Sequence, residues 1–292
     1  VTIYHYTNAN ALVQIIHNRE IWLTESNYLN DPSEISYAAT EVLKVLAAKI
    51  EEEADVSRVD HLLKVREFLT RSYLDPNTLN QYVEDRSFIA SCSRTDRSLT
   101  LWRLYAGRNG FSVGFDETKL LEWTNNEYPE VDSSAEIEEQ ESDAGRRHNY
   151  NLSARIQDVT YGDSEIQDIA EELINLGASS SPDFESEGRV REVLRRLSSI
   201  KHPAYEDEKE TRVVVQELGD HAQSVGVRVS AVGSLVAFRS LSFPFSAVRS
   251  ITIAPGSRSA QTRKALNSLL YTGGRGAWGD VKIREFNVPY VW

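Results

Sequence analysis

Glu206-Asp207-Glu208-Lys209-Glu210-Thr211-Arg212-Val213-Val214-Val215-Gln216 passes from a run of charge into a β-branched run, the pattern of a chain entering a strand. Three more such runs follow, Val225–Val229, Leu235–Phe238 and Ile251–Ile253, and Val281–Phe286 reads as a last strand. One helix, near Ala260–Tyr271, interrupts this strand-rich C-terminal third. Upstream the apolar spacing is largely helical. Ile35, Val42, Leu43, Leu46 and Ile50 share one face, and Leu62, Leu63, Val65, Phe68 and Leu69 mark a second helix over roughly Val59–Tyr73. Two more are expected near Ile166–Leu176 and Val190–Ile200. Thr2–Tyr6 predicts a first strand, and Asn8 caps a helix carrying Leu12, Ile15 and Ile16. Ile21–Leu23, Ser87–Ser93, Phe111–Phe115 and Ile156–Tyr161 are further extended pieces, and Leu99–Ala106 a short helix turned at Gly107 and Gly110. The fold class expected is α+β, with mixed central β-sheets flanked by helices. No internal repeat and no Pro- or Gly-rich linker appears, so residues 1–292 read as a single domain.

The 292 residues suffice for a sizeable core without staples, and the lone Cys92 allows no intrachain disulfide, which fits a reducing, cytoplasmic setting. No apolar run of spanning length occurs, so no membrane association is expected. The opening residues lack a basic flank and an apolar stretch, so no signal peptide is expected either. A net charge of −12 makes the chain a poor non-specific binder of nucleic acid. The stretch Asn126–Asp143 has eight acidic residues and no basic ones, and reads as a mobile acidic insertion.

Four groups of residues could carry chemistry. His5, between Tyr4 and Tyr6-Thr7, stands near a strand tip, where sites commonly form. A partly buried histidine bonded to a carbonyl is the plainer reading. In Asn30-Asp31-Pro32-Ser33-Glu34, helix entry accounts for Asp31, Pro32 and Glu34, and Asn30 is left over. Strand alternation puts Ser91 and Ser93 on one face and Cys92 on the other, with Cys92 a buried small hydrophobe. Extended geometry would place Glu208, Glu210 and Arg212 on one face, two carboxylates beside a guanidinium. No Cys/His cluster has zinc spacing, so no metal is expected. Arg191, Arg195 and Arg196, or Arg258 and Arg263, could form a phosphate track, balanced by nearby acids.

In order, Tyr4-His5-Tyr6-Thr7, Asn30-Asp31-Pro32-x-Glu34, Ser91-Cys92-Ser93, Leu101-Trp102-x-x-Tyr105, Gly110-Phe111-x-x-Gly114-Phe115, Lys201-His202-Pro203-x-Tyr205, Glu208-x-Glu210-x-Arg212 and Phe243-Pro244 through Ile253 form a recognisable series. The chain resembles a widespread prokaryotic family catalogued as a domain of unknown function. That family is in turn similar, more distantly, to the ADP-ribosyltransferase superfamily, including DarT-type toxins and diphtheria-type transferases. The resemblance implies an ADP-ribosyltransferase-like fold and NAD as substrate. It further implies His5 on the ribose with Tyr6 and Thr7 beside it, and Ser91 and Ser93 on the second strand. Glu210 would be catalytic, with Glu208 adjacent and Arg212 and Asn30 nearby. Trp102 and Tyr105 would be stacking candidates. The acceptor could be a protein or a nucleic acid, and the biology that of a toxin or phage-defence effector with an antitoxin or defence-system partner. A non-catalytic nucleotide- or protein-binding regulatory module and a nucleic-acid-acting enzyme stay open beside this reading.

Overall fold

The computed structural model describes residues 1–29, 33–74, 85–127, 151–176, 193, 196–218, 225–230, 233–255, 259–271 and 278–288. The chain gathers into two compact units, each discontinuous in sequence. The first holds Val1–Tyr28, Glu84–Gln157 and Glu210–Trp292; the second holds Leu29–Val83 and Asp158–Lys209.

The first unit is built on a ten-stranded mixed sheet. Its strands are β1 (Thr2–Thr7), β2 (Glu20–Glu25), β3 (Asp85–Ser93), β4 (Phe111–Asp116) and β5 (Asn151–Asp158), then β8 (Glu210–Leu218), β9 (Gly226–Val229), β10 (Leu235–Ser242), β11 (Val248–Ile253) and β12 (Lys282–Glu285). The main path runs β12-β11-β4-β1-β3-β2-β10-β9, and β8 pairs with both β3 and β5. β11 and β12 run parallel, whereas β1 with β3 and β4, β2 with β3 and β10, β3 with β8, β4 with β11 and β9 with β10 are antiparallel.

One face of the sheet carries the main core. Ile3, Phe88, Ala90, Cys92, Val113, Phe115, Val213 and Val215 point into it, alternating as period-two patterning demands. Helices α1 (Ala9–Asn18) and α7 (Ser259–Tyr271) pack there through Leu12, Ile15, Ile16, Leu266 and Leu270. Asn8 caps α1 as expected, its side chain accepting from Ala11 N at 2.9 Å. The opposite face holds a smaller cluster of Tyr6, Leu101, Trp102, Ala106 and Ala254. The expected helix over Leu99–Ala106 is a single α-turn, α4 (Leu99–Leu101), running into a π-helical turn, Trp102–Ala106. Gly107, at φ 69°, ends it, its N–H bonding the Trp102 carbonyl at 2.8 Å. The sheet then resumes at β4, and α5 (Glu117–Glu127) follows.

The second unit is mainly helical. Helices α2 (Ser33–Glu52), α3 (Val56–Tyr73) and α6 (Ser164–Leu176) share a core of Ala38, Val42, Leu46, Leu62, Val65, Leu69, Ile169 and Leu173. Two residues each of β6 (Thr160–Tyr161) and β7 (Ile200–Lys201) form a parallel pair. The helix expected over Val190–Ile200 is a 3-10 turn at Arg196–Ser199 where it is described. Residues 128–143 of the acidic stretch, and Asn30 to Pro32, lie outside the described residues.

Gly110 sits where an added Cβ would come within 2.0 Å of the Ala106 carbonyl oxygen, a backbone atom that cannot step aside. Gly110→Ala should therefore destabilise the protein by about 1–3 kcal/mol or more, as overpacking does, read as a lowered urea midpoint with unchanged slope.

Candidate functional site

Strand β3 lies at the centre of the candidate site because both of its edges are used. Along one edge β8 pairs with it through all nine residues, Asp85↔Leu218 to Ser93↔Glu210. The other edge is shared. Tyr4 of β1 is opposite Ser93 at one end, and Thr24 and Glu25 of β2 are opposite Ile89 and Phe88 further back. Between them Ala90, Ser91 and Cys92 have no strand partner on that edge among the described residues. The sheet forks here.

The His5 side chain occupies the fork. Its Nδ1 is 3.0 Å from the Ser91 carbonyl oxygen. A carbonyl can only accept, so Nδ1 carries the proton, and in the neutral ring Nε2 is left as an acceptor. Desolvation holds the His5 pKa below the ordinary value of 6.5, with the Ser91 bond opposing in part. The imidazole is thus kept neutral and fixed in orientation.

Opposed residues of an antiparallel pair share a face, so Ser91 and Ser93 of β3 line up with Arg212 and Glu210 of β8. Glu210 and Arg212 are 5% and 1% exposed and form a side-on pair. Arg212 Nε donates to Oε1 at 2.8 Å and Nη2 to Oε2 at 3.1 Å. Such a fork-to-carboxylate contact fixes the plane of the carboxylate. Ser93 is buried and its hydroxyl accepts from Thr95 N at 3.2 Å, which turns the chain out of the strand; Ser91 is exposed. Cys92 faces the core. Burial first, and the Glu210 charge second, push its thiol up to about 12, so it is inert as a nucleophile.

The remaining sequence candidates fall in different places. Thr7 is buried opposite Phe111. The Tyr6 hydroxyl donates to Thr95 O at 2.8 Å and accepts from Ser98 N at 3.3 Å, so it secures the 95–98 loop. Burial raises its pKa well above the ordinary tyrosine value. Trp102 is fully buried, edge-on to Tyr6 at 5.0 Å and stacked on Phe286 at 6.0 Å, with Nε1 donating to Asp96 O. Its ring is filled by protein. Tyr105 is exposed on the π-turn. Asn30 lies outside the described residues.

Glu208 departs from the extended geometry expected of it. It closes a 3-10 turn, Pro203–Glu208, and Lys209 then takes the left-handed conformation at φ 44°, so the backbone turns before β8 begins. Only Glu210 and Arg212 share a strand face. Glu208 belongs to the second unit, where its buried carboxylate takes a 2.8 Å bond from the buried Lys201 ammonium. Of the expected arginine track, Arg196 is held by Glu165 and Glu172, and Arg263 by Glu285. Arg191, Arg195 and Arg258 lie outside the described residues.

Three residues on the site's face escaped the sequence reading. Thr24 is opposite both Ile89 and Phe238, and Trp22 precedes it by two, so all share the face of Ser91 and Glu210. Arg228 joins them, opposite Val236 on β9. Its only sequence signal is a charge inside the run Val225–Val229. Among the described residues no group of histidines, cysteines and acids could hold a metal ion, and no helix is long and apolar enough to cross a membrane.

Residues 101–213 match the family model described as Protein of unknown function (DUF2971). The match takes in Trp102, Tyr105, Glu208, Glu210 and Arg212, and stops short of His5, Ser91 and Ser93. No curated protein and no solved structure matches the chain.

Removing one member of a buried pair leaves its partner's charge without its main counter-ion. Glu210→Ala is therefore expected to cost about 3–5 kcal/mol of unfolding free energy, and Glu210→Gln, which keeps an acceptor, distinctly less. For His5 the folded pKa lies below the unfolded 6.5. As pH falls through 6.5 the unfolded chain takes up a proton that the folded chain refuses, so this contribution to stability declines until the folded pKa is passed. His5→Asn, which keeps a donor to Ser91 O but does not titrate, should show a shallower loss of urea midpoint over that window than wild type.

Proposed function

We propose that the chain is an NAD-dependent ADP-ribosyltransferase or NAD glycohydrolase with an ADP-ribosyltransferase-like fold, in which Glu210 acts on the ribose and His5 binds it. The observation that carries this reading is the placement of the two groups at the same short piece of β3, His5 from the face of Val113 and Glu210 from the face of Ser93. His5 bonds Ser91 from one edge, and Glu210 is opposite Ser93 on the other. Two strand spacings, about 10 Å, separate β1 from β8 across β3. The order along the chain, a histidine on the first strand and a glutamate opening a later one, is the order the resemblance requires.

The chemistry asks little of the protein. The nicotinamide–ribose bond breaks with its electron pair going to the ring nitrogen, which neutralises the pyridinium. The ribose passes through an oxocarbenium-like state, as in glycoside cleavage. A fixed carboxylate stabilises that positive charge more than it stabilises the ground state. Arg212 orients the Glu210 carboxylate, and neutral His5 offers Nε2 as an acceptor for a ribose hydroxyl. Water or an acceptor nucleophile then adds to the anomeric carbon and loses its proton.

The side-on pairing of Glu210 with Arg212 also favours a second reading, a nucleotide-binding module without turnover, because a carboxylate so engaged is partly neutralised. Nicotinamide release from NAD by purified wild type, alone and with cell extract, separates the two. Release is expected from wild type. In Glu210→Gln it is expected to fall on the order of 100-fold or more at unchanged circular dichroism. Label appearing in extract proteins or nucleic acids marks transfer, and free ADP-ribose marks hydrolysis. No release by a folded wild type under either condition would overturn the enzymatic reading in favour of the binding module.

A further inference from the structure

Arg228 is a half-buried cation with no counter-ion among the described residues. Its Nη2 donates to Thr24 Oγ1 at 2.6 Å, its Nε is buried with no hydrogen-bond partner, and no carboxylate pairs with it among the described residues. Arg196, Arg212, Arg249 and Arg263 each have such a partner. Burial pulls the Arg228 pKa below the ordinary arginine value. The guanidinium stays charged at neutral pH all the same, so withdrawing it from water goes uncompensated until an anion arrives.

Its surroundings point to the kind of anion. Arg228, Phe238, Thr24 and Trp22 share one face of the sheet, and on β3 that face continues through Ile89 to Ser91. Strand geometry puts Ser91 roughly 8 Å from Thr24, one spacing across and two residues along. Trp22 leans on Phe238 at 4.7 Å and is 41% exposed, on the same face as the cation. Gly226, opposite Phe238, keeps the floor low, since a Cβ there would come within 2.7 Å of the Phe238 ring.

We infer that Arg228, anchored by Thr24, forms a phosphate subsite for a nucleotide diphosphate, with Trp22 offering a stacking face for the base. In naming a dinucleotide's pyrophosphate as the occupant this rests on the NAD reading; the uncompensated cation does not. With Nη2 held by Thr24, the guanidinium keeps its Nη1 hydrogens for phosphate oxygens.

Titration calorimetry of the full chain with ADP, inorganic pyrophosphate and adenosine tests the subsite. Wild type should bind ADP and pyrophosphate, with pyrophosphate displacing ADP. Arg228→Gln should weaken both by roughly 10- to 100-fold, the range of a charged hydrogen bond, and leave adenosine unchanged. Arg228→Lys keeps the charge without the fork, so an intermediate loss is expected, and it serves if the glutamine variant fails to fold. The melting temperature of Arg228→Gln should hold or rise, whereas a purely structural arginine would lower it. Equal ADP affinity in wild type and either variant, or no binding of pyrophosphate by wild type, would overturn the subsite. ADP binding that depends on Arg228 in a protein that releases no nicotinamide would sink the NAD reading alone. NAD cleavage with an unchanged KM in Arg228→Gln would sink the subsite alone.

Discussion

Strand β3 can offer hydrogen bonds on two edges, and one of those edges has two claimants. β8 takes the first edge whole, while β1 and β2 divide the second and leave the Ser91 carbonyl between them. A strand carbonyl left bare inside a sheet is unfavourable, and a histidine N–H satisfies this one. The rest of the site follows from that arrangement. The bond sets the tautomer of His5, turns Nε2 away from the strand, and keeps the imidazole in a position where desolvation holds it neutral. The plain reading of His5, a ring bonded to a carbonyl, and the functional one are therefore compatible, because the same bond that satisfies the backbone orients the ring.

The sheet treats its buried charges in contrasting ways. Glu210 and Arg212 neutralise one another across two residues of a single strand, an interaction that needs no distant element to form. Arg228 reaches across from β9 to a hydroxyl on β2 and meets no acid there among the described residues. A matched pair contributes order and a fixed carboxylate plane, whereas an unmatched cation is a standing electrostatic demand. Both lie on the face away from the main core, where the sheet is lined by hydroxyls, an exposed indole and a glycine in place of the aliphatic side chains opposite.

Much of the element list was legible in the sequence. The β-branched runs at Val213–Val215, Val225–Val229 and Ile251–Ile253, and the helical faces of Leu46 and Leu62, announce themselves through local patterning, and Asn8 through its capping chemistry. The Leu99–Ala106 segment was less so, because its π-turn is bound up with the buried Trp102 among Tyr6, Phe286 and the Asp96 carbonyl, partners far apart in the chain. Glu208 was misplaced for a local reason. Extended geometry stops two residues short of Glu208, at a left-handed Lys209 that carries none of the usual Gly or Asn signal.

The sequence by itself determined most of the strands and the longer helices, that Cys92 faces inward, and that Glu210 and Arg212 lie together, since each follows from spacing of a few residues. The tertiary structure alone decided that β3 is shared by β1 and β2, that His5 fills the gap, and that Glu208 and Glu210 belong to different units. It also decided that Arg228, Trp22 and Thr24 share a face with Ser91 and Glu210. Strand order and register depend on pairings between segments tens to hundreds of residues apart, and a period-two pattern specifies which side chains face the core without specifying which strand lies alongside.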